Sequence, residues 1–309
     1  MKAVRFEEYG DVGVLRIEDV PAPEPGPGEV VVRVVTAGTN PGEASIRSGA
    51  GKDRFPARFP EGQGSDLAGV LSAVGEGVTG LAVGQPVVGL SDGRNAQAEY
   101  ALLPADRVVP KPESLDWAAA ATLYVAGTTA LVMIDVTHPQ SGETVAISGA
   151  AGGVGAFVTQ LAIQTGARVL AVAGEANHER LRAWGAEPIA YGDGLEQRLR
   201  DVAPDGIQAF LDTYGGGYVE LALRLGVPKD RVETITDFAA AGRLGTVAKG
   251  MAALGDPVAG VTELAHLVAD GVIEVPIKGR FPLDQVQEAY RAVESRSGLG
   301  KIVLDVSAP

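Results

Sequence analysis

Ser148-Gly149-Ala150-Ala151-Gly152-Gly153-Val154-Gly155 lies between two stretches of different texture. Glu143 to Ser148 reads as a short buried strand and Val154 to Thr165 as a helix. A dinucleotide needs three things at such a junction: a tight turn, a backbone that can approach a pyrophosphate closely, and a small residue where helix meets strand. The run supplies them as Ala150-x-Gly152-x-x-Gly155, with alanine in place of the first glycine. A lone glycine-rich run is more often only a turn; the strand before and the helix after turn the reading towards a nucleotide site. Ala150, Ala151, Gly152, Gly153, Val154 and Gly155 are therefore candidate cofactor contacts.

Downstream the chain keeps alternating: Arg168 to Ala173 as a strand, Asn177 to Trp184 as a helix, Ile207 to Asp212 as a strand. Parallel βαβ units and a doubly wound sheet follow from that order. After about residue 265 come a helix, the segment Val272 to Gly279, a helix over Leu283 to Glu294 and a strand over Lys301 to Val306. Upstream, residues 1 to about 120 are rich in Gly, Pro and Val. Glu29 to Val35 favours a strand through β-branching, and Pro21 to Gly28 is too proline-rich for helix or central strand. This half reads as a compact, mostly β domain. At Ser114 an N-cap followed by Ala118 to Ala121 starts the helical part.

The 309 residues, 46% of them hydrophobic, suffice for one large or two ordinary domains. With 26 Lys and Arg against 39 Asp and Glu, the formal net charge of -13 disfavours a phosphate-backbone binder. No apolar run approaches the length of a membrane span and the N-terminus has no signal-like apolar region, so a cytoplasmic protein is expected. The chain has no cysteine, which removes disulfides, thiolate zinc sites and a cysteine nucleophile. The three histidines, His138, His178 and His266, are far apart in sequence and read as surface or capping residues.

Together with the glycine loop, Met1-Lys2-Ala3-Val4, Pro25-Gly26-Pro27-Gly28-Glu29-Val30, Ala37-Gly38-Thr39-Asn40-Pro41, Gly64-Ser65-Asp66-Leu67-Ala68-Gly69-Val70, Gly127-Thr128-Thr129-Ala130 and Gly300-Lys301-Ile302-Val303-Leu304 carry a resemblance over nearly the whole chain. The chain resembles the medium-chain dehydrogenase/reductase superfamily, in its zinc-independent, quinone oxidoreductase-like branch. The resemblance implies an α/β protein: a Rossmann doubly wound parallel sheet, residues 123–264, inserted in a GroES-like, mostly β catalytic domain made of residues 1–122 and 265–309. It also implies a homodimer. Members with catalytic zinc hold it with cysteine and histidine where this chain has Gly38-Thr39-Asn40 and Gly62-Gln63-Gly64-Ser65. Without that Lewis acid, hydride transfer from NADPH to an electron-poor quinone, enone or enal is the expected activity. A reductase dedicated to one enoyl or polyketide-like intermediate, and a cofactor-binding regulator without turnover, are the alternatives.

Site residues follow from the resemblance position by position. Asn40 falls near the nicotinamide end, as a positioning amide or as a turn residue before Pro41. Thr129 falls at the domain junction, reaching the cofactor or bonded to its own helix. Tyr124 is the candidate proton donor, or a core tyrosine; the segment Ser48 to Arg58, where relatives often carry tyrosines, holds none. Tyr191 is expected beside the adenosine half unless it is a buried sheet-end tyrosine. Asp212 and Tyr214 lie on the cofactor edge or merely shape a turn, and Lys301 is counted with the cofactor contacts. The small pair Ala173 and Gly174 leaves room for a 2'-phosphate, met by Asn177, His178 and Arg180 or Arg182, so NADP(H) is favoured. Glu175, if turned inward, would select NAD instead.

Overall fold

The computed structural model describes residues 1–309, Ala252 by its backbone alone. Five strands form one parallel sheet in the order Glu187–Ala190, Arg168–Ala173, Thr144–Ser148, Ala209–Asp212, Val232–Thr234. The chain order reverses at Thr144–Ser148, so the crevice where such sheets take ligands opens beyond its carboxyl end, where the glycine loop begins. The next helix, Gly155–Gln164, buries eight of its ten residues between that strand and the helix Thr128–Thr137. This explains why it carries almost no polar face.

The second sheet has seven strands and is mixed. Glu29–Gly38 is its centre, flanked by Asp66–Val74, Tyr100–Pro104 and Lys301–Asp305, all antiparallel to it. The last of these pairs in parallel with Ile277–Pro282, and the helix Val286–Glu294 makes the crossover between them. Residues from both ends of the chain thus share one sheet, which brings Lys301 beside Gly38 to Asn40. A smaller sheet of Arg16–Asp19, Lys2–Phe6 and Glu61–Gly62 covers one side. The largest apolar core runs through the junction, joining Val88, Leu90 and Val109 to Tyr124, Phe157, Ile147 and Leu211.

Two sequence expectations need correction. The junction helix is capped by Asp116, whose carboxylate accepts from the amides of Ala118 and Ala119, while the Ser114 hydroxyl turns to the carbonyl of Ala269. The helix expected after residue 265 begins at Pro257, capped by Asp256, and ends at Ala269. The segment 272–279 becomes a strand only from Ile277, and that strand runs to Pro282. Among the described residues no helix is long and apolar enough to cross a membrane.

Candidate functional site

The glycine loop turns at Gly149, whose φ of 61° suits a residue without Cβ. Gly152 N–H donates to Gly149 O at 2.8 Å, and Ala156 N–H to Gly152 O at 2.9 Å, which starts the helix. The glycines have different duties. A Cβ on Gly155 would collide with the Gly149 carbonyl, approaching its carbon to 2.8 Å, so Gly155 is required by the turn itself. A Cβ on Gly152 would meet only one atom within 4 Å, Gly149 O at 3.1 Å. Here the protein leaves space beside the loop. Ala150 and Ala151 are buried and Val154 is half-buried, so the two alanines present backbone rather than side chain.

Gly153 has a third duty, because its missing Cβ makes room for Lys301, whose Cδ would lie 2.9 Å from it. Gly300 N–H donates to Ala151 O at 2.8 Å, tying the loop to the start of the Lys301–Asp305 strand. The Lys301 ammonium donates to Thr39 O at 2.8 Å and to Asn40 Oδ1 at 2.6 Å. Its third N–H has no protein acceptor among the described residues. The Asn40 amide faces the other way with Nδ2, donating to Asp66 Oδ2 at 2.8 Å and Glu43 Oε1 at 3.2 Å. Asn40 therefore joins one cation to two carboxylates and holds Lys301 in place.

Every member of this cluster is buried. Glu43 also accepts from the backbone of Asn40 and Ser65 and from the Tyr290 hydroxyl, at 2.6 to 2.9 Å. Burial pushes the Asp66 carboxyl up from 3.8 to about 6, opposed by Lys301 and by hydrogen bonds from Asn40 and Val125. Burial likewise pulls the Lys301 ammonium down, opposed by Asp66 and Glu43. Tyr290 is held well above its ordinary value by burial and then by Glu43. The Val125 amide that reaches Asp66 Oδ1 at 2.7 Å lies in a π-helical turn, Leu123–Gly127. Such turns recur at functional sites because they redirect backbone groups.

At the far end of the crevice, Gly174 follows the Arg168–Ala173 strand and the Tyr191 ring lies alongside it, 3.4 Å from where a Cβ would stand. Tyr191 is 63% exposed, so the buried sheet-end alternative does not hold. His178 Nε2 sits 3.2 Å from Ala173 O, Asn177 caps the helix His178–Trp184, and Glu175 is exposed. Arg180 turns to Glu274 at 3.0 Å. An exposed pair of this kind is weak enough to be exchanged for a stronger anion.

The remaining candidates are placed less openly. Asp212 is fully buried and its carboxylate accepts from the Ser148 hydroxyl, the amides of Tyr214 and Gly215, and the Thr234 hydroxyl, joining the ends of three strands. It shapes the crevice edge. Tyr214 is 45% exposed, and the Arg296 guanidinium stacks 5.1 Å from its ring centroid. Thr129 donates its hydroxyl proton to Val125 O at 2.6 Å, leaving only its oxygen lone pairs for another donor. Tyr124 lies in the apolar core with a buried, unpartnered hydroxyl, and burial pushes its pKa up to about 12. The histidines occupy the C-cap of one helix, the first residue of a second and the last turn of a third.

Glu43, Asp66, Tyr290 and Arg296 were not singled out from the sequence. Glu43 had a signal, since Asn40 and Glu43 have capping-box spacing around Pro41. The others come together only in three dimensions.

Residues 26–113 match the family model of the alcohol dehydrogenase GroES-like domain, and residues 184–304 match that of the zinc-binding dehydrogenases. Quinone oxidoreductase of Rattus norvegicus is 37% identical over 59% of this chain and 55% of its own, so the aligned part spans little more than half of that protein. Quinone oxidoreductase of Pseudomonas aeruginosa is 28% identical over 98% of this chain and 99% of its own. The solved structure of the quinone oxidoreductase from Coxiella burnetii superposes with a TM-score of 0.86 at 26% identity, covering 99% of both chains. With its GroES-like part, its inserted Rossmann sheet and these relatives, the chain belongs to the medium-chain dehydrogenase/reductase superfamily.

Proposed function

We propose that this chain is an oxidoreductase that uses NADPH to reduce a quinone or an α,β-unsaturated carbonyl compound, without zinc. The observation that carries the reading is the crevice itself. Beside the space that Gly152 leaves, Gly153 of the same loop packs on Lys301, which donates to Asn40, and the segments where zinc-dependent relatives hold their metal contain neither cysteine nor histidine. The names of the relatives in rat and Pseudomonas point to the same reaction class. When bound, the nicotinamide supplies the hydride.

The chain's own residues would do the rest. The amides of Ala151, Gly153, Val154 and Gly155 would hold the pyrophosphate, those of Ala150 and Gly152 being donated to Val172 O and Gly149 O, helped by the N-terminus of Gly155–Gln164. Tyr191 covers the adenosine half, and Gly174 with Asn177 and His178 receives the 2'-phosphate. Lys301, its stem against Gly153 and one N–H unpaired, would contribute positive charge next to the cofactor, and Asn40 fixes its direction. Tyr124, shielded and weakly acidic, is not the proton donor in this reading; solvent water protonates the reduced product. The cofactor domain would be residues 123–264 and the catalytic domain would resume at 265, a boundary that falls inside the helix Pro257–Ala269. A cytoplasmic homodimer completes the proposal.

Stopped-flow oxidation of NADPH against a panel of quinones, enones and enals tests the reaction. Turnover is expected with at least one class and should survive dialysis against a strong chelator. Loss of turnover on dialysis, restored by zinc alone, would overturn the zinc-free mechanism. Cofactor choice is tested by the ratio of kcat/KM for NADPH and NADH. It should exceed one and fall about fivefold in Arg180→Ala, the worth of one exposed ionic contact. A preference for NADH that Glu175→Ala reverses would show that the glutamate sets the choice.

A further inference from the structure

The loop between the helix Pro41–Arg47 and the strand Glu61–Gly62 carries an arginine in an unusual setting. The guanidinium carbon of Arg54 lies 5.3 Å from the ring centroid of Phe55 and 5.0 Å from that of Phe238. Phe55 belongs to the same loop as Arg54. Phe238 belongs to the other half of the molecule: it opens the helix Phe238–Leu244, four residues past the end of Val232–Thr234, at the carboxyl edge of the parallel sheet. The segment leading to it passes the Asp212–Gly217 turn, where a Cβ on Gly215 would stand 2.9 Å from Thr236 Oγ1. Arg54 therefore reaches across the crevice mouth, on the side where the sheet edge faces the catalytic domain.

The chain holds 39 acidic residues against 26 basic ones, yet among the described residues Arg54 has no carboxylate within 4.0 Å and its side chain makes no hydrogen bond. Stacking on aromatic rings engages the faces of a guanidinium and leaves its N–H edges unpaired. Those edges form a planar fork that matches a carboxylate in two parallel hydrogen bonds. The two rings beside it are 49% and 43% exposed, an apolar surface for the body of a ligand whose anionic end lies on the fork.

We infer that Arg54 is a specificity-determining residue that binds a carboxylate on the acceptor, remote from its reducible group, and so selects hydrophobic enone or quinone acids over their neutral counterparts. The inference rests on the reductase reading above and deepens it by naming the substrate's second recognition element. Phe55 and Phe238 hold the guanidinium in place, so the fork is ready before the acceptor arrives.

The test uses a matched pair, an enone with a terminal carboxylate and the methyl ester of the same compound, with wild type, Arg54→Gln and Arg54→Lys. In Arg54→Gln the acid-to-ester ratio of kcat/KM is expected to fall about 10- to 100-fold, the range for a hydrogen-bonded charge. The change should lie in KM, and Arg54→Lys should recover part of it as a point charge without the fork. High salt should depress the acid alone. An unchanged ratio, or equal losses for acid and ester, would overturn the inference and leave Arg54 as a clasp between the two halves. If the wild type oxidises NADPH with neither compound and with no member of the quinone, enone and enal panel, the reductase reading falls on its own. Calorimetry of the acid against NADPH-loaded protein then still decides the matter: weaker binding in Arg54→Gln supports the carboxylate site, and equal affinity in both proteins removes it.

Discussion

Gly152→Val is expected to weaken NADPH binding by about 100-fold or more while the protein stays folded, because branched carbons would fill space that pyrophosphate oxygens need beside the loop. The fold tolerates the change for a local reason. Gly152 has no left-handed φ, and the one atom near an added Cβ is a carbonyl oxygen at 3.1 Å, which needs to give by a few tenths of an ångström. A melting temperature within about 5 °C of wild type is expected, corresponding to roughly 1–2 kcal/mol for a chain of this size. Gly155→Val supplies the contrast, since its Cβ collides with the Gly149 carbonyl and the turn cannot relax without moving the strand end. That variant should lose the fold and the cofactor together. Fluorescence titration of NADPH beside a melting curve separates the two cases. Unchanged affinity in folded Gly152→Val would place the cofactor elsewhere.

The same residues explain what the sequence made legible. Gly149 to Gly155 carries its meaning locally, because a turn, a close approach and a helix start all fall within seven residues, and the strands at Thr144–Ser148 and Arg168–Ala173 are apolar enough to read directly. The outer strands were not readable in that way. Glu187–Ala190 is four residues long with Pro188 inside it, and Val232–Thr234 has three residues, too short for any periodicity. The helix from Pro257 did have a signal, an Asp cap before a proline at the first helical position, that was passed over for the apolar residues further on. The π-helical turn has no sequence signature. The buried polar cluster draws on residues 40, 43, 66, 290 and 301, and only the pairing of the chain's two ends in one sheet brings these together.

A single change in that cluster should also cost much stability. Lys301→Met removes the one cation facing Asp66 and Glu43, and breaking a buried charge cluster from one side costs about 3–5 kcal/mol. The pH dependence gives the loss a recognisable form. The folded-state pKa of Asp66 is raised from 3.8 to about 6, so its contribution to stability is complete below about 3.8 and is lost as pH rises through about 6. Lys301 opposes that rise. Without it the Asp66 carboxyl moves higher still, and the penalty for ionising it extends beyond neutral pH. Urea unfolding at pH 8 should therefore show the full deficit against wild type, and unfolding at pH 5, where Asp66 holds its proton, a clearly smaller one. Asp66→Asn in the Lys301→Met background removes the titrating group but keeps an acceptor for the Val125 amide, so the double variant should regain part of the lost stability at pH 8 and flatten the difference between the two pH values. A deficit equal at pH 5 and pH 8, or none at either, would mean that the Lys301 charge does not balance these carboxylates, and that its place beside Gly153 serves packing alone.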